Sequence, residues 1–354
     1  MATATAIDQA LSTVDEVAAE GDLTAEARAL LTLDATTHEA ILLPDGRTIY
    51  PPSLFGEPLQ EVACRLLDAQ DPTRSRYLKL IGPPGTGKSQ IARAIAYTSW
   101  RQQKKKVIKR HGSPFYGLIE LQPGPSADEY FFRYDFIPDP EDATRVKLVE
   151  AAFVEAMRNG WLVVIDEVSI ARDVALLSLN GTLDGRLILY LAATGETVTA
   201  QPGFGVILTY NPGLVGATDI PDAWHSRFPA TVEVSSNWGA LRELGVNGAL
   251  VDAAEKYDSK RKSGELAWTP QFREIESLHV MSDRVGERVA LSMFISGLHE
   301  QLETGKLLAA DAAAACRMLD EGGFQRFKVS AGKRKAGASN AIPNLEGYPR
   351  AVTR

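Results

Sequence analysis

Gly82-Pro83-Pro84-Gly85-Thr86-Gly87-Lys88-Ser89 is the densest concentration of potential chemistry in this sequence. Glycines let a backbone wrap closely around phosphate oxygens, Lys88 adds a mobile cation, and the Ser89 hydroxyl is a ligand of the kind Mg²⁺ takes. The run Tyr77-Leu78-Lys79-Leu80-Ile81 reads as a short strand, and Gln90 to Ala96 has helical periodicity. The glycines therefore fall at a strand-to-helix turn, where helix N–H groups and the helix dipole favour an anion. Residues 82–90, Gln90 included, are the set expected to hold a nucleoside triphosphate.

Two further constellations fit that chemistry. Trp161-Leu162-Val163-Val164-Ile165 is nearly continuous in apolar character, as a strand covered on both faces should be, and it ends in Asp166-Glu167. Phosphoryl transfer needs one carboxylate to hold Mg²⁺ and one to orient or deprotonate the attacking water. We assign Asp166, with Ser89, to the metal and Glu167 to the water. The run Gly205-Val206-Ile207-Leu208-Thr209-Tyr210 likewise ends in Asn211, whose amide offers a donor and an acceptor to phosphate and water without a charge. A turn-forming Asn before Pro212-Gly213 would look the same in isolation.

Elements that would position these groups alternate between strand and helix, which implies a doubly wound parallel sheet. Ile41 to Tyr50, with Pro44-Asp45-Gly46 inside it, reads as a hairpin. Glu57 to Ala69 and Val146 to Asn159 read as helices, the second ended by Gly160, and Gly117 to Gln122 as a strand. The aromatic- and proline-rich stretch Pro123 to Pro140 has no clean period and reads as a loop or insertion. Arg101-Gln102-Gln103-Lys104-Lys105-Lys106, then Lys109-Arg110-His111, read as a solvated helix end more readily than as a nucleic-acid contact. Helical patterns at Ile7–Glu20 and Thr24–Leu33 precede all of this. The expected division is an N-terminal extension with its hairpin over 1–50, an α/β core over 51–236, a helical domain over 237–328, and a disordered basic tail over 329–354.

Composition narrows the class. The chain has 354 residues, 45% hydrophobic and 23% charged, within the ordinary range for a globular protein. A net charge of −7 argues against a surface made generally for nucleic acid. No apolar run approaches the roughly 20 residues a bilayer span needs. Two distant cysteines and scattered histidines give no metal spacing and fit a reducing compartment, and the N-terminus has no signal-peptide pattern. A cytoplasmic protein is the expectation.

The phosphate loop, the Asp-Glu strand, the Asn-ended strand and a following helical lid, in this order, resemble an AAA+ ATPase. Asp166-Glu167-Val168-Ser169-Ile170-Ala171-Arg172-Asp173, Leu183-Asp184-Gly185-Arg186, Thr194 to Val198 and Thr209 to Gly213 are similar to the MoxR-like branch, closest to its NirQ/NorQ/CbbQ type. The resemblance covers about residues 55 to 290. It implies ATP and Mg²⁺ as ligands and a ring of identical subunits, usually a hexamer. It also implies an arginine finger at Arg227, within Trp224-His225-Ser226-Arg227-Phe228, and a second sensor at Arg273, within Thr269-Pro270-Gln271-Phe272-Arg273. Arg186 to Gln201 matches the hairpin inserted before the first sensor, yet Leu187 to Gln201 holds no Lys or Arg. DNA-moving relatives grip phosphates with cations there, so a protein client is the expectation, of the chaperone-like activator kind that often works with a von Willebrand A-type partner. The alternatives are a nucleic-acid-stimulated motor or defence component and a nucleotide-gated scaffold with little turnover.

Overall fold

A computed structural model describes residues 40–54, 57–67, 76–122, 134–138, 144–168, 179–191, 194–211, 222–228 and 230–324. The helices expected before Ala35, Ala192-Ala193 of the expected hairpin tip Ala192 to Glu196, and the basic tail lie outside the described residues. By its internal contacts the chain divides into two units, residues 1–83 with 87–235, and residues 84–86 with 236–354.

In the first unit, β1 (Ile41–Leu42) and β2 (Thr48–Ile49) form the expected hairpin, followed by β3 (Ser53–Leu54), β4 (Glu57–Pro58) and α1 (Leu59–Leu66). Then come β5 (Tyr77–Ile81), α2 (Lys88–Gln102), β6 (Ile108–Arg110), β7 (Ser113–Phe115) and β8 (Leu118–Leu121). After β9 (Tyr134–Pro138), β10 (Val146–Glu150) and α3 (Ala152–Asn159) the chain runs into β11 (Leu162–Ile165) and α4 (Asn180–Leu183). The unit closes with β12 (Ile188–Leu191), β13 (Glu196–Thr199), β14 (Gly205–Tyr210), α5 (Asp222–Arg227) and β15 (Ala230–Glu233).

Strands β15, β5, β14, β11 and β8 lie side by side in that order, and every pairing is parallel. Alternation along the strands sorts their side chains between two cores. Leu78, Leu80, Leu162, Val164 and Ile207 face Leu59, Ala63, Ile91 and Ile95 of α1 and α2. Tyr77, Val163, Ile165, Val206 and Leu208 face a cluster with Phe153, Met157, Phe204, Trp224 and Phe228. A sheet buried on both faces explains why its strands read as continuous apolar runs, and its strand ends form the edge at which such folds bind ligands. This is the α/β fold of a P-loop NTPase.

Several local readings need correction. Val146–Glu150 is a strand paired in register with Tyr134–Pro138, so the helix is only Ala152–Asn159. Val-Lys-Leu-Val fits a period of two as well as a helix, and the partner strand decides. That partner also gives the end of the Pro123–Pro140 stretch regular structure. Gly160 does end α3 in the left-handed conformation, with φ 64°. The helix expected over Glu57–Ala69 starts at Leu59, because Glu57-Pro58 pairs with β3. The cationic run is a helix end only as far as Gln102; Ile108–Arg110 is a strand of a hairpin.

The second unit holds α6 (Trp238–Glu243), α7 (Gly248–Lys262), α8 (Phe272–Val285), α9 (Glu287–Glu303) and α10 (Ala309–Glu321). Its core is separate, built by Leu250, Ala254, Ile275, Leu278, Leu291, Ile295 and the small face of α10. Small residues there let helices approach closely, and Asp258, 1% exposed, is held by Arg261, Lys262 and Gln271.

Candidate active site

The turn from β5 into α2 is left-handed at Gly82, Gly85 and Gly87, with φ of 150°, 83° and 89°. A Cβ on Gly82 would stand 2.2 Å from the Val234 carbonyl oxygen, so only glycine lets the loop pass the end of β15. The Gly82 N–H donates to Tyr210 O at 3.2 Å, which fastens the loop to the end of β14. α2 starts with no side-chain cap, the form of helix N-terminus that receives anions. Lys88 is buried, and its ammonium lies across the loop, donating to Gly82 O at 2.9 Å and Pro83 O at 2.7 Å.

The carboxylates stand where β11 ends. The Asp166 N–H donates to Leu121 O at 2.8 Å, carrying the ladder one residue past the strand. Its carboxylate accepts from the Ser89 hydroxyl at 3.0 Å to each oxygen. Hydroxyl and carboxylate, separated by 77 residues of chain, thus converge as a pair of hard oxygen ligands. Glu167 is exposed and holds φ 54°. For a residue with a Cβ that conformation costs on the order of 1–2 kcal/mol, and a hydrogen bond holds it in place. The Glu167 N–H donates to Thr209 Oγ1 at 2.9 Å, while the Thr209 hydroxyl donates to Asp166 Oδ1.

Thr209 joins these groups, although the sequence reading gave it no role of its own. It is 1% exposed, on the strand next to β11, and its one hydroxyl holds both the Asp166 carboxylate and the Glu167 backbone. The signal was a hydroxyl in an otherwise apolar run, immediately before Tyr210-Asn211.

Asn211 is 4% exposed, and its Oδ1 has no hydrogen-bond partner among the described residues. A buried amide oxygen without a donor costs on the order of 1–3 kcal/mol unless something supplies one. The same holds for Oε1 of Gln90, in the first turn of α2. Orphaned acceptors, the Ser89–Asp166 pair, the glycine cradle and a buried lysine together fit a Mg²⁺-nucleotide.

The two arginines belong to other elements. Arg227 ends α5, half-buried, on a helix anchored by Trp224 and Phe228, whose rings stack at 5.6 Å in the core. Hydrogen bonds from Arg186, with a smaller contribution from the Arg227 charge, hold the Asp184 carboxyl below its usual range. On the same helix, Nδ1 of His225 lies 3.3 Å from the ammonium of Lys79, which is buried in the middle of β5 and whose pKa burial lowers. Arg273 belongs to the second unit, exposed, at the start of α8; its backbone N–H donates at 3.1 Å to Gly85 O, a residue grouped with that unit.

Comparison with known proteins agrees with this geometry. Residues 78–228 match the family model of the AAA domain (dynein-related subfamily). An uncharacterized protein of Staphylococcus aureus (strain USA300) is 36% identical over 155 residues, 44% of this chain and 54% of that protein. The uncharacterized protein YojN of Bacillus subtilis (strain 168) is 29% identical over 149 residues, 42% of this chain and 44% of its own length. The chain spans about half the length of the curated relatives it matches. Among solved structures, NtrX from Brucella abortus aligns at TM-score 0.39 with 16% identity, over 63% of this chain and 49% of that one, too remote to support any inference.

Proposed function

From a P-loop NTPase fold whose residues 78–228 match an AAA domain, and which therefore implies nucleotide binding and ATPase activity, we propose a Mg²⁺-dependent ATP hydrolase that remodels or activates a partner protein in a chaperone-like way, working in the cytoplasm as a ring of its own copies. The observation that carries the hydrolytic reading is the convergence of Ser89 and Asp166 at 3.0 Å beside Glu167, with Thr209 bonded to the Asp166 carboxylate and the Glu167 backbone.

Residues 82–90 would hold the triphosphate, with Lys88 as its cation, and Ser89 and Asp166 would hold the metal. When bound, Mg²⁺-ATP supplies the transferable phosphoryl group and the charge that offsets it. Glu167 takes up or directs the proton of the attacking water, and Asn211 presents its orphaned amide oxygen as an acceptor. Arg227 serves the nucleotide of a neighbouring copy, and Arg273 acts as sensor within its own. A protein client is favoured over nucleic acid by the net charge of −7 and by the absence of cations from Leu187 to Gln201. Among the described residues no helix is long and apolar enough to cross a membrane.

The test separates binding from turnover. Lys88→Ala should weaken ATP binding by more than about tenfold, since it removes a charge-assisted contact to phosphate. Glu167→Gln should keep ATP bound while phosphate release falls by about 10² to 10⁴. Undiminished binding by the first variant or undiminished turnover by the second would overturn the assignment. The arrested Glu167→Gln form is also the one with which to capture the client.

A further inference from the structure

The far end of α2 carries a feature the nucleotide site does not use. From Arg101 to Leu118 the chain has no acidic residue, but it has Arg101, Lys104, Lys105, Lys106, Lys109 and Arg110. Residues 101–109 are all exposed, and among the described residues Lys104, Lys105, Lys106 and Lys109 form no ion pair. Cations left unpaired in a protein of net charge −7 are concentrated here against the overall balance.

The patch has a fixed shape. α2 ends as Lys104 N–H donates to Arg101 O at 2.9 Å and Lys105 N–H to Trp100 O at 3.2 Å, with Lys104 left-handed at φ 53°. That is the position glycine usually fills, so a lysine there is held against a cost of about 1 kcal/mol. β6 and β7 follow as a hairpin, turned by His111 and Gly112 at φ 49° and 80°. In a two-residue turn the flanking pair, Arg110 and Ser113, exchanges hydrogen bonds, and the next pair does not. That next pair is Lys109 and Pro114, and proline has no N–H to give. The N–H and C=O of Lys109 therefore point away from β7, at the outer edge of β6, whose sheet has two strands among the described residues. Beside that edge stand Val107, 40% exposed, and Ile108, 51% exposed.

We infer that the open edge of β6 receives an acidic, extended segment of a partner protein as an added strand, with Lys104, Lys106 and Lys109 pairing its carboxylates and Val107 and Ile108 its apolar side chains. A nucleic acid is the less fitting occupant, because single strands are held by stacking on open rings. Here the rings are covered: Lys105 lies 4.8 Å over Trp100, Arg101 5.8 Å over Tyr97, and Arg110 5.2 Å over Phe115 and 5.3 Å over Trp161. α2 runs 15 residues from the phosphate loop to this hairpin, about 22 Å at the usual rise. The surface is thus distinct from the nucleotide site, and the inference stands or falls independently of the ATPase reading.

Fluorescence anisotropy of the full chain with a short labelled peptide alternating Glu and Val tests it. Binding should be measurable at low ionic strength and weaken toward about 0.15 M salt. Combined Lys104→Glu, Lys106→Glu and Lys109→Glu, all on exposed side chains, should lower the affinity by about tenfold or more and leave basal ATP turnover unchanged. The same peptide N-methylated at alternate residues keeps its charge but loses the donors of one edge, and it should bind at least about tenfold more weakly. Equal binding by the charge-reversed protein, equal binding of the methylated peptide, or tighter binding of an oligo-deoxythymidylate than of the peptide would each overturn the inference.

Discussion

Thr209→Val keeps the shape of a buried side chain and removes only the hydroxyl that joins Asp166 to the Glu167 backbone. The expected result is a turnover loss of about 10- to 100-fold, the usual effect of losing an orienting partner, with nucleotide affinity nearly intact. Nucleotide titration beside phosphate-release kinetics checks it, and a parallel loss of affinity would mean that Thr209 shapes the loop instead. At this scale the candidate groups were legible in the sequence, because the glycine spacing, the paired acids and the terminal Asn are each tied to a chemical demand. The sequence did not display Thr209, because a threonine in a strand is ordinary until its neighbour across the sheet is known. Nor could it show the backbone of Glu167, since nothing in an Asp-Glu pair announces a left-handed residue. Where Arg227 acts is a matter for family resemblance, because no spacing within one chain specifies a contact made on another, and the role of Arg273 rests on the same resemblance.

Among the elements, α5 shows how a short helix is placed. Trp224 and Phe228, one turn apart and almost fully buried, fix it from the core side, and Phe228 also lies 5.5 Å from Tyr77 of β5. Lys79 reaches the same helix through His225 at the expense of a buried ammonium, whose pKa lies below its ordinary 10.5 because of desolvation. A lysine whose folded-state pKa is depressed penalises the native state while it is protonated, and the penalty fades as pH rises through the folded value toward 10.5. Lys79→Met, similar in volume and uncharged, should therefore raise the melting temperature at neutral pH, with the gap over the native chain shrinking in alkaline buffer. Thermal melts across that range decide it; a gap that does not change with pH would show that burial of the charge is not the cause. Long apolar runs such as Leu162–Ile165 and Gly205–Tyr210 were legible as strands because burial on both faces leaves a plain trace. Val146–Glu150 was not, and β15 and the β6–β7 hairpin went unmarked, because short strands owe their existence to partners distant in the chain rather than to their own pattern.

For the molecule as a whole, the proposed ring makes each active site depend on two copies, and mixing experiments address that directly. Subunits carrying Arg227→Ala and subunits carrying Glu167→Gln, each nearly inactive alone, should regain part of the activity when combined, since some sites then have an intact acid from one copy and an intact arginine from the next. No recovery at any mixing ratio, with assembly verified by light scattering, would count against shared sites. The order of the sheet has a further consequence, for the birth of the protein rather than its work. β5 lies between β14 and β15, with Leu78 paired to Ile207 on one side and Ala230 on the other. A chain emerging from the ribosome makes β5 before either neighbour, leaving an apolar strand without partners while all the residues between Ile81 and Gly205 are made. Such long-range parallel pairing folds slowly and exposes sticky edges meanwhile. A protein built on this sheet would itself be a client of folding assistance while it is being made, and a chain halted before Glu233 should aggregate rather than fold.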